Sequence, residues 1–163
     1  MNKKQLFENY LMQNVDSAYR FAYTYTKNRE DAEDIVNESV IKAIKSIHHL
    51  QKPEHIKPWF YKIVANTALT YLKRKSRISY LDDENLTDTD ETEDDYSKLT
   101  FNSLIEKLDV KYKSIVVLRF LEDMPLSEIS QILDMNENTV KTRLYKALKL
   151  LKVDMEGDEV EQL

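Results

Sequence analysis

The sequence predicts an all-α protein with two small helical domains, and three observations lead to this fold class. The chain has one glycine and three prolines among its 163 residues, too few for a sheet protein with many tight turns. Apolar residues recur at helical spacing on both sides of the middle of the chain. Between these parts, residues 82–95 contain nine acidic side chains and no basic one, which is typical of a flexible linker. We place a first domain of three to four helices at 1–77, the linker at 78–98, a four-helix second domain at 99–153 and an acidic tail at 154–163.

The net charge of −5 conceals a basic part of the chain. Residues 154–163 contain five acidic side chains and no basic one. With these five and the nine acids of residues 82–95 set aside, the net charge of the remaining chain is +9. Charge that is divided into blocks is better judged by segment than as a sum. The two domains are therefore compatible with binding to DNA.

The composition also excludes several classes of protein. The chain has no cysteine, so disulfides, thiolate metal sites and cysteine nucleophiles are ruled out. No apolar run approaches about 18 residues, and the first residues lack the apolar core of a secretory signal. We expect a cytoplasmic protein that does not insert into a membrane. We find no nucleophile–base pair or phosphate-binding loop, and we expect neither enzymatic activity nor a cofactor.

Three helices are expected in the first domain. The first spans residues 4–26, with a kink near Asn14. Asn28 then provides an N-cap for a second helix that extends to about residue 50. A loop follows with Pro53 and the three histidines of the chain, which lack the further ligands that a metal site needs. The third helix is expected at residues 58–75.

The second of these helices has a regular apolar stripe and a polar far side. The far side includes Asp34, Asn37 and Glu38, together with Ile41. A partner surface would explain an isoleucine there, and a solvated face with one stray apolar residue would explain it equally well. The apolar stripe consists of Ala32, Ile35, Val36, Ser39, Val40, Ala43, Ile44 and Ile47.

The third helix has an apolar face and a second, polar face. The apolar face is expected in the core and consists of Trp59, Phe60, Ile63, Val64 and Thr67. The other face consists of Lys62, Asn66, Thr70 and Lys73, and the helix ends in a run of cations. These cations suit the helix dipole, and they equally suit phosphate contacts beside side chains that reach bases.

Helical periodicity returns at residue 99 and leads into the most informative part of the chain, residues 123–152. There a short helix, a tight polar turn and a second helix follow one another, which is the helix-turn-helix pattern. Pro125 suits the first turn of the short helix. Either Asn136 or Asn138 can cap the second helix. The residues expected to pack beneath this motif are Phe101, Leu104, Ile105, Leu108, Tyr112, Ile115, Val116 and Phe120.

The second helix of the motif has one apolar side and one basic side. Its apolar side consists of Val140, Leu144, Ala147, Leu148 and Leu151. Its other side consists of Lys141, Arg143, Lys146, Lys149 and Lys152. An ordinary helical hairpin can show a basic face, but the order of a cap-rich turn followed by a basic helix favours a helix that reads DNA.

These features together resemble the extracytoplasmic-function group of bacterial RNA polymerase sigma factors. The first domain carries the resemblance in REDAEDIVNESVIKAI and KPWFYKIVANTALTYLKRKSR, and the second carries it in LDVKYKSIVVLRFLEDMPLSEISQILDMNENTVKTRLYKALKLL. The resemblance covers nearly the whole chain. It implies a region 2 domain, a linker and a region 4 domain, and a role in promoter-specific transcription in a stress or envelope response.

The resemblance also implies roles for particular residues. The loop at 48–57 would hold a flipped base. The expected partners are core RNA polymerase, through its β′ clamp helices and β flap, promoter DNA and an anti-sigma factor. Residues expected to dock on polymerase are Asp31, Asp34, Asn37, Glu38 and Ile41. Residues expected at the −10 element are Trp59, Lys62, Asn66, Thr70, Lys73 and Arg74. Residues expected at the −35 element are Asn138, Thr139, Lys141, Thr142, Arg143 and Lys146. Of these, Lys141, Thr142 and Lys146 would face base edges, while Thr139 and Arg143 would also hold phosphates.

The chain departs from the family pattern at several of these positions. Many members have aspartate where Thr70 stands, arginine where Lys73 stands and glutamine where Asn37 stands. Lysine lacks the planar fork of arginine, so bidentate recognition of guanine is expected to be less sharp. These departures weaken any statement about the promoter sequence.

Two other functions fit parts of the sequence. A stand-alone helix-turn-helix regulator would bind duplex DNA without polymerase and would normally dimerise on paired half-sites. Such a regulator leaves the polar second helix and the basic third helix without a purpose. A sigma mimic that sequesters an anti-sigma factor would read no DNA, which conflicts with the basic face at 139–152.

Overall fold

The computed structural model describes the backbone of residues 2–81 and 101–161 and the side chains of residues 2–77 and 103–152. The chain forms two compact units, and every regular element in the described parts is helical, as the sequence predicts. None of these helices combines the length and the apolar character that crossing a bilayer requires. Most of the predicted linker, residues 82–98, lies outside the described residues.

The first unit is built on three long helices. They are α1 at Lys3–Thr26, α2 at Arg29–Lys45 and α3 at Ile56–Leu81. Two 3₁₀ turns, Ile47–His49 and Pro53–His55, connect α2 to α3. Each of the three helices packs against the other two. An aromatic core results, in which the rings of Phe7 and Phe60 lie 5.2 Å apart and those of Phe21 and Tyr61 lie 5.1 Å apart.

Side-chain caps define where α1 and α2 begin. Asn2 and Gln5 form a reciprocal capping box at the start of α1, which satisfies two backbone amides that the helix itself cannot pair. Asn28 caps α2 as predicted, because its Oδ1 accepts a hydrogen bond from the Asp31 amide at 3.0 Å. Lys27 closes α1 in the left-handed conformation with φ of 53°.

Two boundaries in this unit differ from the prediction. The second helix ends at Lys45 and not near residue 50, because Ser46 leaves the helical region with φ of −110° and ψ of 18° and a 3₁₀ turn follows. The third helix begins two residues before Pro58 and continues to Leu81. Residues 78–81, predicted to belong to the linker, therefore continue α3. Ile44, in the last turn of α2, was predicted in the core but is 39% exposed.

The described residues 101–161, most of which belong to the second unit, contain four helices and one π-helical turn. The helices are α4 at Phe101–Glu106, α5 at Val110–Val116, α6 at Leu126–Leu133 and α7 at Glu137–Glu161, and the π-helical turn is at Val117–Leu121. Both α4 and α5 pack against α7. The core includes the predicted Leu104, Ile105 and Leu108 from the α4 region and Ile115 and Val116 from α5.

Two apolar residues of this unit were predicted in the core and are exposed. Phe120 is 49% exposed, because the π-helical turn adds a residue to the helical repeat and shifts the face on which Phe120 falls. Leu148 is 36% exposed, although its neighbours Ala147 and Leu151 on α7 are buried, so it lies at the edge of the apolar face and not at its centre. The backbone of α7 continues to Glu161 and so includes most of the predicted acidic tail.

Candidate polymerase and nucleic-acid interfaces

The residues predicted to dock on polymerase share the outer side of α2, with one partial exception. Asp34, Asn37 and Glu38 are exposed. Ile41 is 54% exposed, although it is a large apolar residue. Glu38 lies 3.4 Å from Lys42 in an i,i+4 ion pair. The sequence pattern therefore placed these four side chains on one accessible helix face.

Asp31 is the exception, because its carboxylate has partners on α3. Lys75 Nζ lies 3.3 Å from Asp31 Oδ2, and the Tyr71 hydroxyl is hydrogen-bonded to the same carboxylate. Burial, followed by this hydrogen bond and the charge of Asp31, raises the pKa of Tyr71 well above its usual value. Asp31 thus connects the start of α2 to the last described side chains of α3.

An open groove of about 480 Å³ lies between α1 and α2, next to the residues predicted to dock on polymerase. Val15 and Tyr19 line it from α1, and Glu33, Val36 and Asn37 line it from α2. Asn37 therefore belongs both to the exposed face of α2 and to the rim of this groove. A partner that covers Asn37 would meet the polar and apolar surface of the groove as well.

On α3, the predicted −10 residues form an exposed polar face. All four side chains of this face are exposed, namely Lys62, Asn66, Thr70 and Lys73. The first three are spaced four residues apart, which keeps them on one side of the helix. The Thr70 hydroxyl donates to the Asn66 carbonyl at 2.9 Å. Arg74 is exposed beside this face.

Trp59 differs from the other predicted −10 residues. Its side chain is half-buried, and its ring meets that of Phe7 edge-on at a centroid distance of 6.0 Å. Such edge-to-face pairs stabilise a core beyond the area that they bury. Trp59 therefore contributes to the packing of α3 on α1, and only part of its ring is accessible.

The histidine loop forms two 3₁₀ turns that precede α3. His48, His49 and His55 are exposed there, and the rings of His48 and His49 lie 4.1 Å apart. Among the described residues, histidine and carboxylate side chains do not gather in groups of three that suit a metal ion. The loop is anchored at one end, where Lys3 donates to the His48 carbonyl at 3.4 Å.

In the second unit, α6 and α7 are joined by the tight turn of the helix-turn-helix motif. Asp134 ends α6 in the left-handed conformation with φ of 54°, and the Met135 amide donates to the Ser130 carbonyl at 3.0 Å. These features match a Schellman C-terminus, in which a left-handed residue lets later amides bond back to the helix. Asn136, not Asn138, is the cap of α7, because Asn136 Oδ1 accepts from the Asn138 amide at 2.8 Å.

The residues predicted at the −35 element lie on the early turns of α7. Thr139, Lys141 and Lys146 are exposed, as are Asn138 and Thr142. The Thr142 hydroxyl donates to the Asn138 carbonyl at 2.9 Å. On the opposite side, the buried residues are Val140, Leu144, Ala147 and Leu151.

Arg143 is only half-exposed, which sets it apart from its neighbours on α7. Its Nη1 lies 3.5 Å from the Met135 Sδ, so the guanidinium lies across the turn of the motif. A side chain in this position links α7 to the turn that precedes it. Its remaining exposed donors stay available to a phosphate.

Two tyrosines complete this surface and were not among the predicted site residues. Tyr145 is 61% exposed, with Lys141 Nζ 6.0 Å from its ring centroid. Tyr145 follows Lys141 by four residues, so helical spacing could have identified it. Tyr112 was assigned to the core, and its ring is indeed buried. Its contact with Lys146, 34 positions later, could not be predicted from periodicity in the sequence.

Tyr112 lies between two lysines. Lys111 Nζ is 5.0 Å from its ring centroid, and Lys146 Nζ is 5.7 Å from it. A hydrogen bond from Lys146, together with the charges of both lysines, lowers the pKa of the Tyr112 hydroxyl. Lys146 is therefore held against α5 at the place where the sequence suggested a free base-reading side chain.

Comparison with known families matches both units. Residues 11–78 match Sigma-70 region 2, and residues 99–151 match Sigma-70, region 4. The two regions occur in the predicted order and together account for most of the chain.

Curated relatives are similar over most of their own length. The RNA polymerase sigma factor SigV of Bacillus subtilis is 43% identical, over 87% of this chain and 86% of the relative. The ECF RNA polymerase sigma factor SigW of the same organism is 29% identical, over 84% of this chain and 82% of the relative. The ECF RNA polymerase sigma-E factor of Haemophilus influenzae is 30% identical, over 77% of this chain and 75% of the relative.

Solved structures share the fold at lower identity. The sigma factor RpoE of Bartonella quintana, in complex with the anti-sigma factor NepR, has a TM-score of 0.75 and 17% identity, over 90% of this chain and 94% of RpoE. CnrH in complex with the cytosolic domain of CnrY has a TM-score of 0.66 and 17% identity, over 93% of this chain and 88% of that one. With both sigma-70 regions present in order and with relatives that are sigma factors over most of their length, this chain belongs to the extracytoplasmic-function group of the sigma-70 family, the promoter-directing subunits of RNA polymerase.

Proposed function

We propose that this sigma factor docks on core RNA polymerase through the outer face of α2 and reads promoters with two separate helix faces. The face of α3 that includes Lys62, Asn66, Thr70 and Lys73 contacts the −10 element, with Trp59 and Arg74 at its edges. The early turns of α7 contact the −35 element. The observation that carries this proposal is that a net acidic chain exposes one polar, lysine-containing face on each of its two domains.

The docking face consists of Asp34, Asn37, Glu38 and Ile41, with Asp31 at its border. An exposed isoleucine among polar residues is typical of the centre of a small interface, where an apolar side chain is covered and a polar rim surrounds it. We assign this face to the β′ clamp helices of polymerase and the second domain to the β flap. The domain boundaries in this proposal are 1–77 and 99–153.

The −35 contacts are divided between base edges and phosphates. Lys141 and Thr142 point outward from the first turns of α7, where a recognition helix meets base edges. Asn138 and Thr139 lie nearer to the turn, and the Arg143 guanidinium reaches back across it. These three side chains hold the DNA backbone. Since phosphate contacts position a protein and base contacts specify the sequence, these two groups have different consequences when mutated.

Docking explains how weak DNA contacts suffice. Polymerase holds both domains near the promoter, so the second contact forms at a high effective concentration once the first is made. Melting at the −10 element proceeds by capture of an unstacked base in the loop at 48–57, at a cost of a few kcal/mol. The chain performs no chemistry of its own, acts in the cytoplasm and is regulated by an anti-sigma factor that covers the same faces.

Run-off transcription with core polymerase and genomic DNA fragments tests this proposal. The holoenzyme is expected to yield discrete transcripts, and their start sites define the −10 and −35 elements. An Asn37→Ala/Ile41→Ser double variant provides the control, because it keeps both DNA faces and removes the centre of the docking face. Loss of transcripts in the variant supports the proposal.

The two rival functions predict different results. A stand-alone regulator binds DNA equally well with or without the docking substitutions, and its size in solution is that of a dimer. A sigma mimic binds its anti-sigma factor but yields no transcript with any fragment. Either result overturns the proposal.

A further inference from the structure

We infer that Lys111, Tyr112 and Lys146 form a seat for one backbone phosphate of duplex promoter DNA, so that Lys146 holds the backbone and does not read a base. This inference rests on the proposed function and refines it, since it moves one of the expected base-reading residues to a different task. The seat joins two helices, α5 and α7, that are far apart in the sequence.

The geometry brings three hydrogen-bond donors to one place. The Tyr112 ring is buried against α7, and its hydroxyl is hydrogen-bonded by Lys146. Lys111, which precedes Tyr112 in the chain, also approaches the ring, and its Nζ lies 5.0 Å from the ring centroid. Both lysines are exposed, so the buried phenol fixes the position of two solvent-facing ammonium groups.

Electrostatics favours an anion at this place. Within residues 103–152, neither Lys111 nor Lys146 forms an ion pair with a carboxylate. Two like charges that share one phenol repel each other, and an anion between them removes that repulsion. The hydrogen bond from Lys146, followed by the charges of Lys111 and Lys146, lowers the pKa of the Tyr112 hydroxyl.

The position of Lys146 along α7 favours a phosphate over a base edge. The helix begins at Glu137, and nine further residues place Lys146 about 13 Å along the axis. Recognition helices contact base edges mainly through their N-terminal residues. Tyr112 holds the Lys146 ammonium against α5, and lysine binds phosphate as a point charge.

The test is a scan of single methylphosphonate substitutions, each of which removes the charge of one phosphate in the −35 region. It uses holoenzyme and a promoter fragment obtained by run-off transcription. The variants are Lys111→Gln, Tyr112→Phe and Lys146→Gln. Lys107→Gln is the matched control, since it removes an exposed lysine of the same domain outside the cluster.

Wild-type holoenzyme is expected to lose affinity when one particular phosphate is neutralised, and each of the three variants is expected to lose that sensitivity. The slope of log affinity against log salt should fall by about 1 in the Lys111 and Lys146 variants. Preference among −35 base pairs should stay unchanged, and the control should behave as wild type. Circular dichroism verifies that the variants retain their helix content.

Two results overturn the inference. The first is that neutralising each phosphate lowers the affinity of the variants as much as that of the wild type. The second is that Lys146→Gln changes the preference at a single base pair, which returns Lys146 to base reading. Wild-type transcription separates these failures from failure of the proposed function, because a holoenzyme without promoter-specific transcripts contradicts both.

Discussion

Lys75 Nζ lies 3.3 Å from Asp31 Oδ2, so the part of α3 beyond its proposed −10 face is joined to the first turn of α2. Asp31 thereby connects the proposed docking helix to the proposed DNA-reading helix. The Tyr71 hydroxyl shares the same carboxylate. The three groups form a small polar cluster at the edge of the three-helix unit.

We expect Asp31→Asn to lower the pKa of Tyr71 towards its ordinary value, because it removes the charge that disfavours the phenolate. A titration of ¹³Cζ-labelled tyrosine by NMR measures this shift. The free energy of unfolding should fall by less than about 1 kcal/mol, since the Lys75 ammonium is largely exposed. Asp34→Asn is the matched control and should move the Tyr71 pKa less. An unchanged Tyr71 titration in the Asp31 variant contradicts the assignment of the cluster.

Ile41→Ser should weaken binding to core polymerase while the melting temperature of the chain stays nearly constant. Ile41 is exposed in the free protein, so its removal costs the fold little, whereas a docked partner would cover it. The expected loss is about 1–2 kcal/mol of binding free energy, or about five- to thirtyfold in affinity. Fluorescence anisotropy with labelled chain measures it. Leu69→Ser, an exposed apolar residue on α3, is the control, and equal losses in both variants argue against a specific docking role for Ile41.

Asn66→Ala and Lys73→Ala should reduce open-complex formation while core binding remains near normal. Both side chains are exposed on the same face of α3, where removal of either leaves the helix intact. Permanganate footprinting of the melted region and a parallel core-binding assay provide the two measurements. If both variants lose core affinity to the same extent as melting, the face docks on polymerase or maintains the fold.

Lys141→Ala holoenzyme should lose discrimination among −35 variants and keep discrimination among −10 variants. A lost base contact costs about 1–3 kcal/mol and relaxes the preference at one base pair. Helix content should not fall, because alanine favours helix more than lysine. Transcription from promoters that vary at each −35 position is the assay. A uniform loss of activity across all promoters identifies Lys141 as a phosphate contact.

Asn136→Ala should lower the free energy of unfolding of the second unit by about 0.5–2 kcal/mol, the usual range for loss of an N-cap. Asn138→Ala is the matched control, since Asn138 donates its backbone amide to the cap and its side chain is exposed. Urea unfolding, followed through the amide signals of residues 103–152, measures both. Equal effects of the two substitutions contradict the assignment of the cap to Asn136.

Periodicity in the sequence was sufficient to predict where a helix begins when a recognisable capping residue precedes it. Asn28 was identified as a cap, and the structure confirms it. The choice between Asn136 and Asn138 stayed open, because both lie close to the start of the same helix and only geometry decides between them. The end of α2 was placed about five residues too late, since Ser46 is a poor marker for a helix end. Phe120 was misplaced because a π-helical turn changes the repeat on which the prediction depends.

The predicted site residues are exposed wherever the prediction required only the correct face of a single helix. Lys62, Asn66 and Lys141 belong to this class, and helical spacing alone determines their side. Contacts between distant parts of the chain were not foreseen. The bond of Asp31 to α3 and the bond of Lys146 to Tyr112 each join residues that are more than 30 positions apart, and periodicity contains no information on such pairs.

Thr70 and Thr142 both donate their hydroxyl hydrogen to the carbonyl of the residue four positions earlier. While these bonds persist, each hydroxyl offers only lone pairs to a ligand. It then cannot donate to the O6 of guanine or the O4 of thymine, but it can accept from the exocyclic amino group of adenine or cytosine. The helical hydrogen bond thus sets the polarity of each threonine, and it favours amino-bearing bases opposite both residues.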